Sequence, residues 1–355
     1  MGLRANISFL ARLTLARLTR RRVPLIAQFS VTNRCTAKCT YCYARYYARE
    51  HPELPTADAL RVIDELTHAG ARRISLVGGE PLVRADIADL VRRVKERGAE
   101  CALTTNGDLV EKRLDACRQL DLLSVSLDGA QEGHDANRGK GSFERVMRAI
   151  RIARSEGIPV QASTVVARAT LGDLDFLVAM AQEYGFCLSF IPLINQTQPD
   201  GKQPIADLMA TPEEYRRYFA GVVARKRAGA PILFAAKLYD FVRRWPDFSA
   251  DKFMGPQRPS FHHFRCNAGR YSVLVDANGD VYPCAQLVDV LPVKNLFQVG
   301  FQAAWRHIQN HPCHTCFSPC SNNMNLLLSL DLGVMWDLFG SYAGRGFGRP
   351  RPRKD

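Results

Sequence analysis

Three cysteines in one short stretch are the residues of this chain best suited to chemistry. The stretch Ser30–Tyr43 contains Cys35, Cys39 and Cys42, and these cysteines come after an apolar run, Pro24–Val31, that is typical of a strand. Three thiols are an odd number for a disulfide framework and one short of a closed structural zinc site. A 4Fe-4S cluster has four irons, so three thiolates would leave one iron open to a ligand that is not protein. The stretch therefore favours a cluster with one open corner.

The elements that position these cysteines alternate between strands and helices. Short apolar runs are separated by segments with helical spacing that end in glycine, and this alternation predicts a parallel sheet covered by helices. The predicted fold class is α/β, a partial (β/α)6 TIM-like barrel followed by a small C-terminal α+β module. The predicted strands are Pro24–Val31, Ile74–Val77, Cys101–Thr105, Leu122–Leu127, Val160–Val166 and Phe186–Leu193.

Polar residues and glycines follow three of these strands at the point where each one ends. They are Gly78-Gly79-Glu80-Pro81, Thr105-Asn106 and Ser126-Leu127-Asp128. In barrels of this class the C-terminal ends of the strands form the face where the active site is built. We therefore expect Glu80, Asn106 and Asp128 at one mouth together with the cysteine loop. The simpler alternatives are a turn at Gly78–Pro81 and helix capping by Asn106 or Asp128.

The spacing Cys35-x3-Cys39-x2-Cys42, with Tyr41 before the last cysteine, resembles the signature of the radical S-adenosylmethionine (radical SAM) superfamily. The resemblance implies that the three cysteines bind a 4Fe-4S cluster whose open iron is chelated by SAM. In that family the reduced cluster cleaves SAM to methionine and a 5′-deoxyadenosyl radical, which abstracts a hydrogen atom from the substrate. A zinc knuckle or three core cysteines is the alternative for the cysteines alone.

The same resemblance implies the residues that contact SAM. Gly78, Gly79 and Glu80 look like the motif that holds its methionine moiety, and Arg138 could pair with its carboxylate, unless it is an ordinary surface arginine. The strand-end hydroxyl, amide and carboxylate groups resemble the family's ribose and carboxylate contacts. The expected cofactor-binding residues are Tyr41, Gly78, Gly79, Glu80, Thr105, Asn106, Ser126, Asp128 and Arg138.

A second set of cysteines lies in the C-terminal third, around a predicted hairpin turn at Asp276–Asp280. It comprises Cys266, Cys284, Cys313, Cys316 and Cys320. It resembles the auxiliary-cluster module called SPASM or its short form, twitch, although a full SPASM module has seven cysteines. The resemblance implies one auxiliary 4Fe-4S cluster bound by Cys266, Cys284, Cys313 and either Cys316 or Cys320. A zinc site is the alternative, and Cys320, if it is not a ligand, could donate a hydrogen atom to a substrate radical.

Five segments are expected from these patterns. They are a basic N-terminal segment (1–23), the barrel (24–195), a helical linker region (196–260), the auxiliary-cluster module (261–325) and an apolar, then basic tail (326–355). Cys101, Cys117 and Cys187 are expected to be buried core thiols.

The net charge of +13 is concentrated in arginines at both ends of the 355-residue chain. Such charge favours a polyanionic partner, either nucleic acid or an anionic membrane surface. Nucleic acid is not expected, because aromatic residues are not clustered for base stacking. The N-terminal segment would either close the bottom of the barrel or rest on a membrane surface. Eleven cysteines without a secretory signal indicate the cytoplasm, with peripheral membrane contact as an option.

The expected function is a radical SAM enzyme that oxidises, couples or epimerises a substrate. Its expected partners are SAM, an unidentified organic substrate and an electron donor such as flavodoxin or ferredoxin. Only 23 residues precede the first predicted strand, too few for the leader-recognition domain of many peptide-maturing relatives. This favours a small molecule or a lipid without excluding a peptide. The alternatives are an RNA-modifying radical SAM enzyme and a non-catalytic iron-sulfur or zinc scaffold.

Overall fold

The computed structural model describes residues 3–42, 52–194 and 205–335. The basic tail beyond residue 335 and part of the expected linker, residues 196–204, lie outside the described residues. Packing divides the chain into two compact units, which we describe separately. Unit 1 is Met1–Thr36, Ala44–Ser124 and Asn267–His311, and unit 2 is Ala37–Tyr43, Val125–Cys266 and Pro312–Asp355.

Strands and helices alternate through the first two thirds of the described chain. The strands are β1 (Ile26–Thr32), β2 (Arg73–Gly78), β3 (Glu100–Thr105), β4 (Leu122–Ser126), β5 (Val160–Val166), β6 (Cys187–Pro192), β7 (Lys252–Met254), β8 (Ser272–Val275), β9 (Asp280–Tyr282), β10 (Lys294–Asn295) and β11 (Cys313–Cys316). The helices are α1 (Leu3–Leu18), α2 (Thr56–His68), α3 (Ile87–Glu96), α4 (Leu114–Cys117), α5 (Gln131–Arg138), α6 (Ser142–Ser155), α7 (Leu174–Tyr184), α8 (Pro212–Arg227), α9 (Ala236–Arg243), α10 (Leu296–Val299), α11 (Phe301–His307) and α12 (Pro319–Leu328).

Unit 1 contains a sheet with the strand order β10-β9-β8-β1-β2-β3. β1, β2, β3 and β8 are parallel, whereas β9 and β10 run antiparallel to their neighbours. The predicted hairpin turn is confirmed, because Gly279 has a φ of 91° and donates its N–H to the carbonyl of Asp276 at 2.9 Å. The hairpin thus belongs to unit 1 and extends its sheet along β1.

Unit 2 combines the β5–β6 pair with helices and a small two-stranded sheet. β5 and β6 pair in parallel from Gln161 with Cys187 to Val166 with Pro192, and β7 pairs antiparallel with β11. A capping box begins α8, because the Thr211 hydroxyl accepts from the Glu214 N–H while the Glu214 carboxylate accepts from the Thr211 N–H. Trp245 is buried against Phe253, Phe261 and Phe317, and this aromatic cluster supports β7 and β11.

Between β3 and β4 the segment 109–120 forms a 3-10 turn and the short α4, and α5 follows β4. The expected module 261–325 is split between the two units, because β8 is buried at all four positions and pairs with the edge of β1. An apolar β-strand of this kind is more stable against a sheet than within a small separate module.

α1 packs on unit 1 along a buried face formed by Asn6, Phe9, Leu13 and Ala16, each 5% exposed or less. The Arg73 guanidinium lies 4.3 Å from the centroid of the Phe9 ring and donates to the Asn6 side-chain oxygen at 2.6 Å. The helix therefore covers unit 1. This agrees with the first of the two alternatives drawn from the sequence, in which the N-terminal segment packs on the barrel. No helix among the described residues is long and apolar enough to cross a membrane.

A buried arginine fixes both ends of the segment that contains the cysteine stretch in unit 1. Arg84 donates to the carbonyl of Val31 at 2.9 Å and to that of Leu54 at 3.1 Å. Its side chain is 2% exposed and pairs with Asp86 at 2.6 Å and with Glu53 at 3.3 Å. Glu53 in turn accepts from the Thr32 hydroxyl and from Arg34 at 3.0 Å.

We expect Arg84→Leu to lower the free energy of unfolding by about 3 kcal/mol, since it leaves the Asp86 and Glu53 carboxylates without their buried cation. Arg92→Leu is the control, because Arg92 on α3 pairs with Asp89 at the surface and is 56% exposed. That change should cost no more than about 0.5 kcal/mol. Urea unfolding measures both, and equal losses would contradict this role of Arg84.

Candidate functional site

In unit 1 the cysteine stretch leaves β1 against the two glycines that end β2. A Cβ added to Gly78 would lie 2.4 Å from the carbonyl oxygen of Thr32, and one added to Gly79 would lie 2.3 Å from that of Arg34. Gly78 also has a φ of 140°, which side chains rarely adopt. The two glycines are expected to belong to the motif that holds the methionine moiety of SAM. In the structure they let the chain just before Cys35 approach their own backbone.

Glu80 is fully buried and its carboxylate is bonded to protein groups. It accepts from the N–H of Leu82 at 3.1 Å, from the Thr105 hydroxyl at 2.9 and 3.0 Å, and from the N–H of Asn106 at 2.7 Å. Burial raises the pKa of Glu80 to about 7, against the effect of these donors. Glu80 joins the ends of β2 and β3, and Thr105, 2% exposed, is part of that junction. The expectation that Glu80 belongs to the motif that holds the methionine moiety of SAM stays a prediction.

Asn106 lies beside the first cysteine of the stretch. Its side-chain amide donates to the Thr36 hydroxyl at 2.9 Å and lies 4.0 Å from the Cys35 sulfur. Its amide oxygen accepts from the Asp108 N–H at 3.0 Å. Asn106 is half-buried, so it retains a surface that a ligand could contact.

In unit 2 a buried ion pair holds the rest of the cysteine stretch. Arg138 donates two hydrogen bonds to the Asp128 carboxylate, at 2.7 and 3.2 Å, and its Nη1 lies 3.9 Å from the Cys39 sulfur. The Tyr41 hydroxyl and the Val165 N–H also donate to this carboxylate. Burial opposes ionisation of Asp128, but the Arg138 charge holds its pKa below the usual range.

Asp128 and Tyr41 are both bonded within unit 2, and their expected contacts to SAM stay predictions. Asp128 is fully buried and both its oxygens have protein partners. Tyr41 is 6% exposed and packs in an apolar cluster with Ala167, Leu193 and Ile205. Burial raises its pKa well above the usual range, which keeps the hydroxyl protonated as a donor. Both residues anchor the loop from inside unit 2.

Arg138 and Ser126 keep some contact with solvent. The Arg138 side chain is 11% exposed and its guanidinium lies 5.5 Å from the centroid of the Tyr41 ring. Ser126, the last residue of β4, is half-buried. Among the predicted SAM contacts of unit 2, these two remain available to a ligand.

Three cysteines of the second set lie on or beside the small sheet of unit 2. Cys313 and Cys316 are the end residues of β11, and the Cys266 N–H donates to the carbonyl of His314 between them at 3.2 Å. Cys320 is exposed in the first turn of α12, whereas Cys284 belongs to unit 1. None of the eleven cysteines is in a disulfide, and burial of Cys101, Cys117 and Cys187 is confirmed.

The surroundings of the first cysteines suit a group held by thiolates. An arginine N–H approaches Cys39 in unit 2 and an amide N–H approaches Cys35 in unit 1. Donors of this kind stabilise and tune sulfur ligands. Within residues 3–42, 52–194 and 205–335, no group of three or more His, Cys, Asp or Glu could hold a metal ion. A 4Fe-4S cluster takes one thiolate per iron, so its ligands do not surround a single ion.

Sequence reasoning assigned no role to three groups that hold this site. Arg84 and Glu53 bracket the cysteine segment in unit 1, and the His134 imidazole accepts from the Asp128 N–H at 3.2 Å in unit 2. Burial lowers the pKa of His134 to about 4, so the ring is neutral and can accept. A charged residue three positions after the Gly-Gly-Glu-Pro turn was the one available signal for Arg84.

Comparison with known proteins agrees with this geometry. Residues 29–176 match the family model described as the radical SAM superfamily. The chain is 30% identical to the mycofactocin maturase MftC of Mycolicibacterium smegmatis over 294 residues, which are 80% of this chain and 70% of that protein.

Two solved structures share the fold. Streptococcus suis SuiB bound to its precursor peptide SuiA is 18% identical with a TM-score of 0.64, covering 83% of this chain and 68% of SuiB. Native anSMEcpe with bound AdoMet is 16% identical with a TM-score of 0.62, covering 89% and 99% of the two chains. These likenesses confirm the predicted α/β partial-barrel fold. The match to the family model and the identity to MftC establish that the chain belongs to the radical SAM superfamily, a family of enzymes that use a 4Fe-4S cluster and SAM.

Proposed function

We propose that this enzyme modifies a peptide by SAM-dependent radical chemistry. The observation that carries the proposal is the 30% identity, over 80% of this chain, to a protein named a maturase. The fold relative SuiB has been solved with a precursor peptide, which supports the same substrate class. The small-molecule or lipid substrate favoured from the sequence is therefore the second candidate. When bound, the cluster and SAM supply a 5′-deoxyadenosyl radical that abstracts a hydrogen atom.

We further propose that Cys35, Cys39 and Cys42 hold this cluster. Asn106, Ser126 and Arg138 are the proposed side-chain contacts to SAM, because each keeps some exposure at a strand end or beside a cysteine. Glu80, Thr105, Asp128 and Tyr41 are proposed to act by position, since each is buried and bonded within the protein. Gly78 and Gly79 serve the close passage of the chain before Cys35.

A second cluster is proposed for the C-terminal cysteines. Cys266, Cys313 and Cys316 are supported by the hydrogen bond that brings Cys266 to β11 in unit 2. Cys284 and Cys320 are included on sequence alone, with Cys320 either the alternative ligand to Cys316 or a hydrogen-atom donor. The exposure of Cys320 suits the donor role, because a donor must reach a substrate.

A cytoplasmic location and a reductase partner complete the proposal. A low-potential donor such as flavodoxin or ferredoxin would reduce the cluster, and the cytoplasm keeps cysteine ligands reduced. RNA modification is the remaining enzymatic alternative.

The function is tested by anaerobic reconstitution followed by reaction with dithionite and SAM. We expect about eight irons per chain and formation of 5′-deoxyadenosine, since each 4Fe-4S cluster holds four irons. Changing Cys35, Cys39 and Cys42 to Ala should leave about four irons and abolish the product. Cys101→Ala, a change in the core, should retain about eight irons per chain and the formation of 5′-deoxyadenosine.

Substrate class is read from the same assay. Short peptides encoded beside the gene for this chain should raise the yield of 5′-deoxyadenosine and change in mass. Stimulation by RNA or by lipid, with none by peptide, would refute the peptide proposal.

The proposed link between Arg138 and Cys39 predicts a change in reduction potential. Arg138→Met removes a cation and an N–H donor next to a cluster ligand, so the more negative reduced state loses stabilisation. We expect the potential to fall by about 60 mV, a tenfold change for one electron. Arg138→Lys keeps the charge, so its reduction potential should lie between those of the natural protein and Arg138→Met.

Redox titration followed by electron paramagnetic resonance measures these potentials. Arg151→Met is the matched control, because Arg151 is an exposed arginine on α6 of the same unit. If the cluster assembles in Arg138→Met with an unchanged potential, the link is wrong.

Glu80 predicts a pH dependence of stability. Its folded pKa of about 7 exceeds the ordinary value of 4.5, so the folded chain binds this proton more tightly than the unfolded chain. The resulting stabilisation is complete below the lower pKa and is lost as the pH rises through the folded pKa. Glu80→Gln has no such loss. Its stability relative to the natural protein should therefore improve between about pH 5 and pH 8 by on the order of 2 kcal/mol.

Urea unfolding at several pH values measures this difference. Glu96→Gln on the exposed surface of α3 controls for removal of a carboxylate. A stability difference for Glu80→Gln that does not vary with pH would contradict the prediction.

A further inference from the structure

α1 carries a second apolar face that unit 1 does not cover. Ile7, Leu15 and Leu18 are 56%, 61% and 78% exposed. They are three of the six large hydrophobic side chains that are exposed in the part of the chain described by the structure. Half of these exposed large hydrophobic side chains are therefore on one helix.

The exposed residues lie on one side of the helix. With about 100° of rotation per residue, positions 7, 11, 15 and 18 fall within one narrow stripe, opposite the buried face. We call this the outer stripe, and it consists of Ile7, Ala11, Leu15 and Leu18. Over residues 6–18 the helix is thus apolar on two opposite sides, one packed on unit 1 and one facing outward.

Basic residues border the outer stripe. Arg12 and Arg17 are exposed and project on either side of it by the same rotation. Three further exposed arginines, Arg20, Arg21 and Arg22, follow the helix. Arg22 also donates to the side-chain oxygens of Gln309 and Asn310, each at 3.1 Å. The sequence contains no Asp or Glu before Glu50, so the segment has no acidic residue of its own to offset this charge.

We propose that the outer stripe of α1 docks on a membrane surface rich in anionic phospholipid. An apolar stripe between arginines is the arrangement of helices that lie in the membrane interface. The aliphatic side chains would enter the acyl boundary while the arginines reach the headgroup phosphates. Because only three large side chains would insert, binding depends on the arginines and is reversible.

Two other partners fit less well. Nucleic acid would engage the arginines but has no use for the outer stripe, and the one aromatic residue of α1, Phe9, is on the buried face. A second copy of the chain could cover the stripe, but it would bring the same arginines together without a carboxylate between them. Of the three partners, an anionic bilayer is the one that fits both the outer stripe and the arginines beside it.

The inference is independent of the peptide substrate proposed above, and its test uses the reconstituted full chain. Co-sedimentation compares vesicles of phosphatidylcholine with vesicles containing about 30% phosphatidylglycerol. We expect binding to the anionic vesicles alone, and its loss when the salt is raised from about 50 mM to about 500 mM. Equal binding to neutral vesicles, or binding to neither, would overturn the proposal.

Variants of the outer stripe test whether this surface binds the vesicles. Ile7→Glu with Leu15→Glu should lower the bound fraction at least about tenfold, because it removes two inserting side chains and adds like charge to the lipid. Val299→Glu is the matched control, since Val299 is an exposed aliphatic residue elsewhere in unit 1. Circular dichroism checks that the variants fold as the natural protein does, and unchanged vesicle binding by the folded double variant would refute the site.

Two further measurements separate the competing partners. If the double variant changes the sedimentation coefficient from dimer to monomer, the stripe binds a second copy and the membrane proposal fails. If single-stranded RNA displaces the protein from vesicles and its own binding is lost in the double variant, the surface is a nucleic-acid site instead.

Discussion

The ion pair between Asp128 and Arg138 is the interaction on which the site in unit 2 depends. Removing two charges from water costs several kcal/mol for each charge. Bidentate geometry and extra hydrogen bonds can offset a cost of about this size. Here the carboxylate also accepts from Tyr41 and from the Val165 N–H, so its oxygens are satisfied. The pair fixes a loop that has no regular secondary structure of its own. Removing either partner would leave a buried charge next to Cys39.

Unit 1 uses the same device for its part of the cysteine segment. Arg84 is buried, and it joins the end of β1 to the returning chain at Leu54. In both units, then, a buried arginine holds the chain in place, as the backbone hydrogen bonds of a helix or strand would do elsewhere. This suits a loop whose cysteines must stay accessible to a ligand, because backbone hydrogen bonding would bury them in a ladder.

The sequence predicted the strands well, but it carries no information on the partners of the side chains at their ends. Strand β5 has the predicted bounds, because a continuous apolar run between turn residues leaves little choice. Glu80 and Asp128 were correctly located at strand ends, but a strand end alone does not determine whether a carboxylate points outward. That depends on donors such as Thr105 and Arg138, which come from other elements. The two apolar faces of α1 were likewise hidden, since residues on opposite sides of a helix read as one imperfect pattern.

The parallel pairing of β1 with β8 sets an order for synthesis of the chain. β1 emerges from the ribosome early, whereas Ser272–Val275, which completes its edge, emerges late. At about 5–20 residues per second, the intervening stretch of roughly 250 residues takes on the order of 12–50 s to make. During that time one edge of β1 lacks its partner and can template pairing with another chain. The nascent protein should therefore depend on a holding chaperone until its last third has been translated.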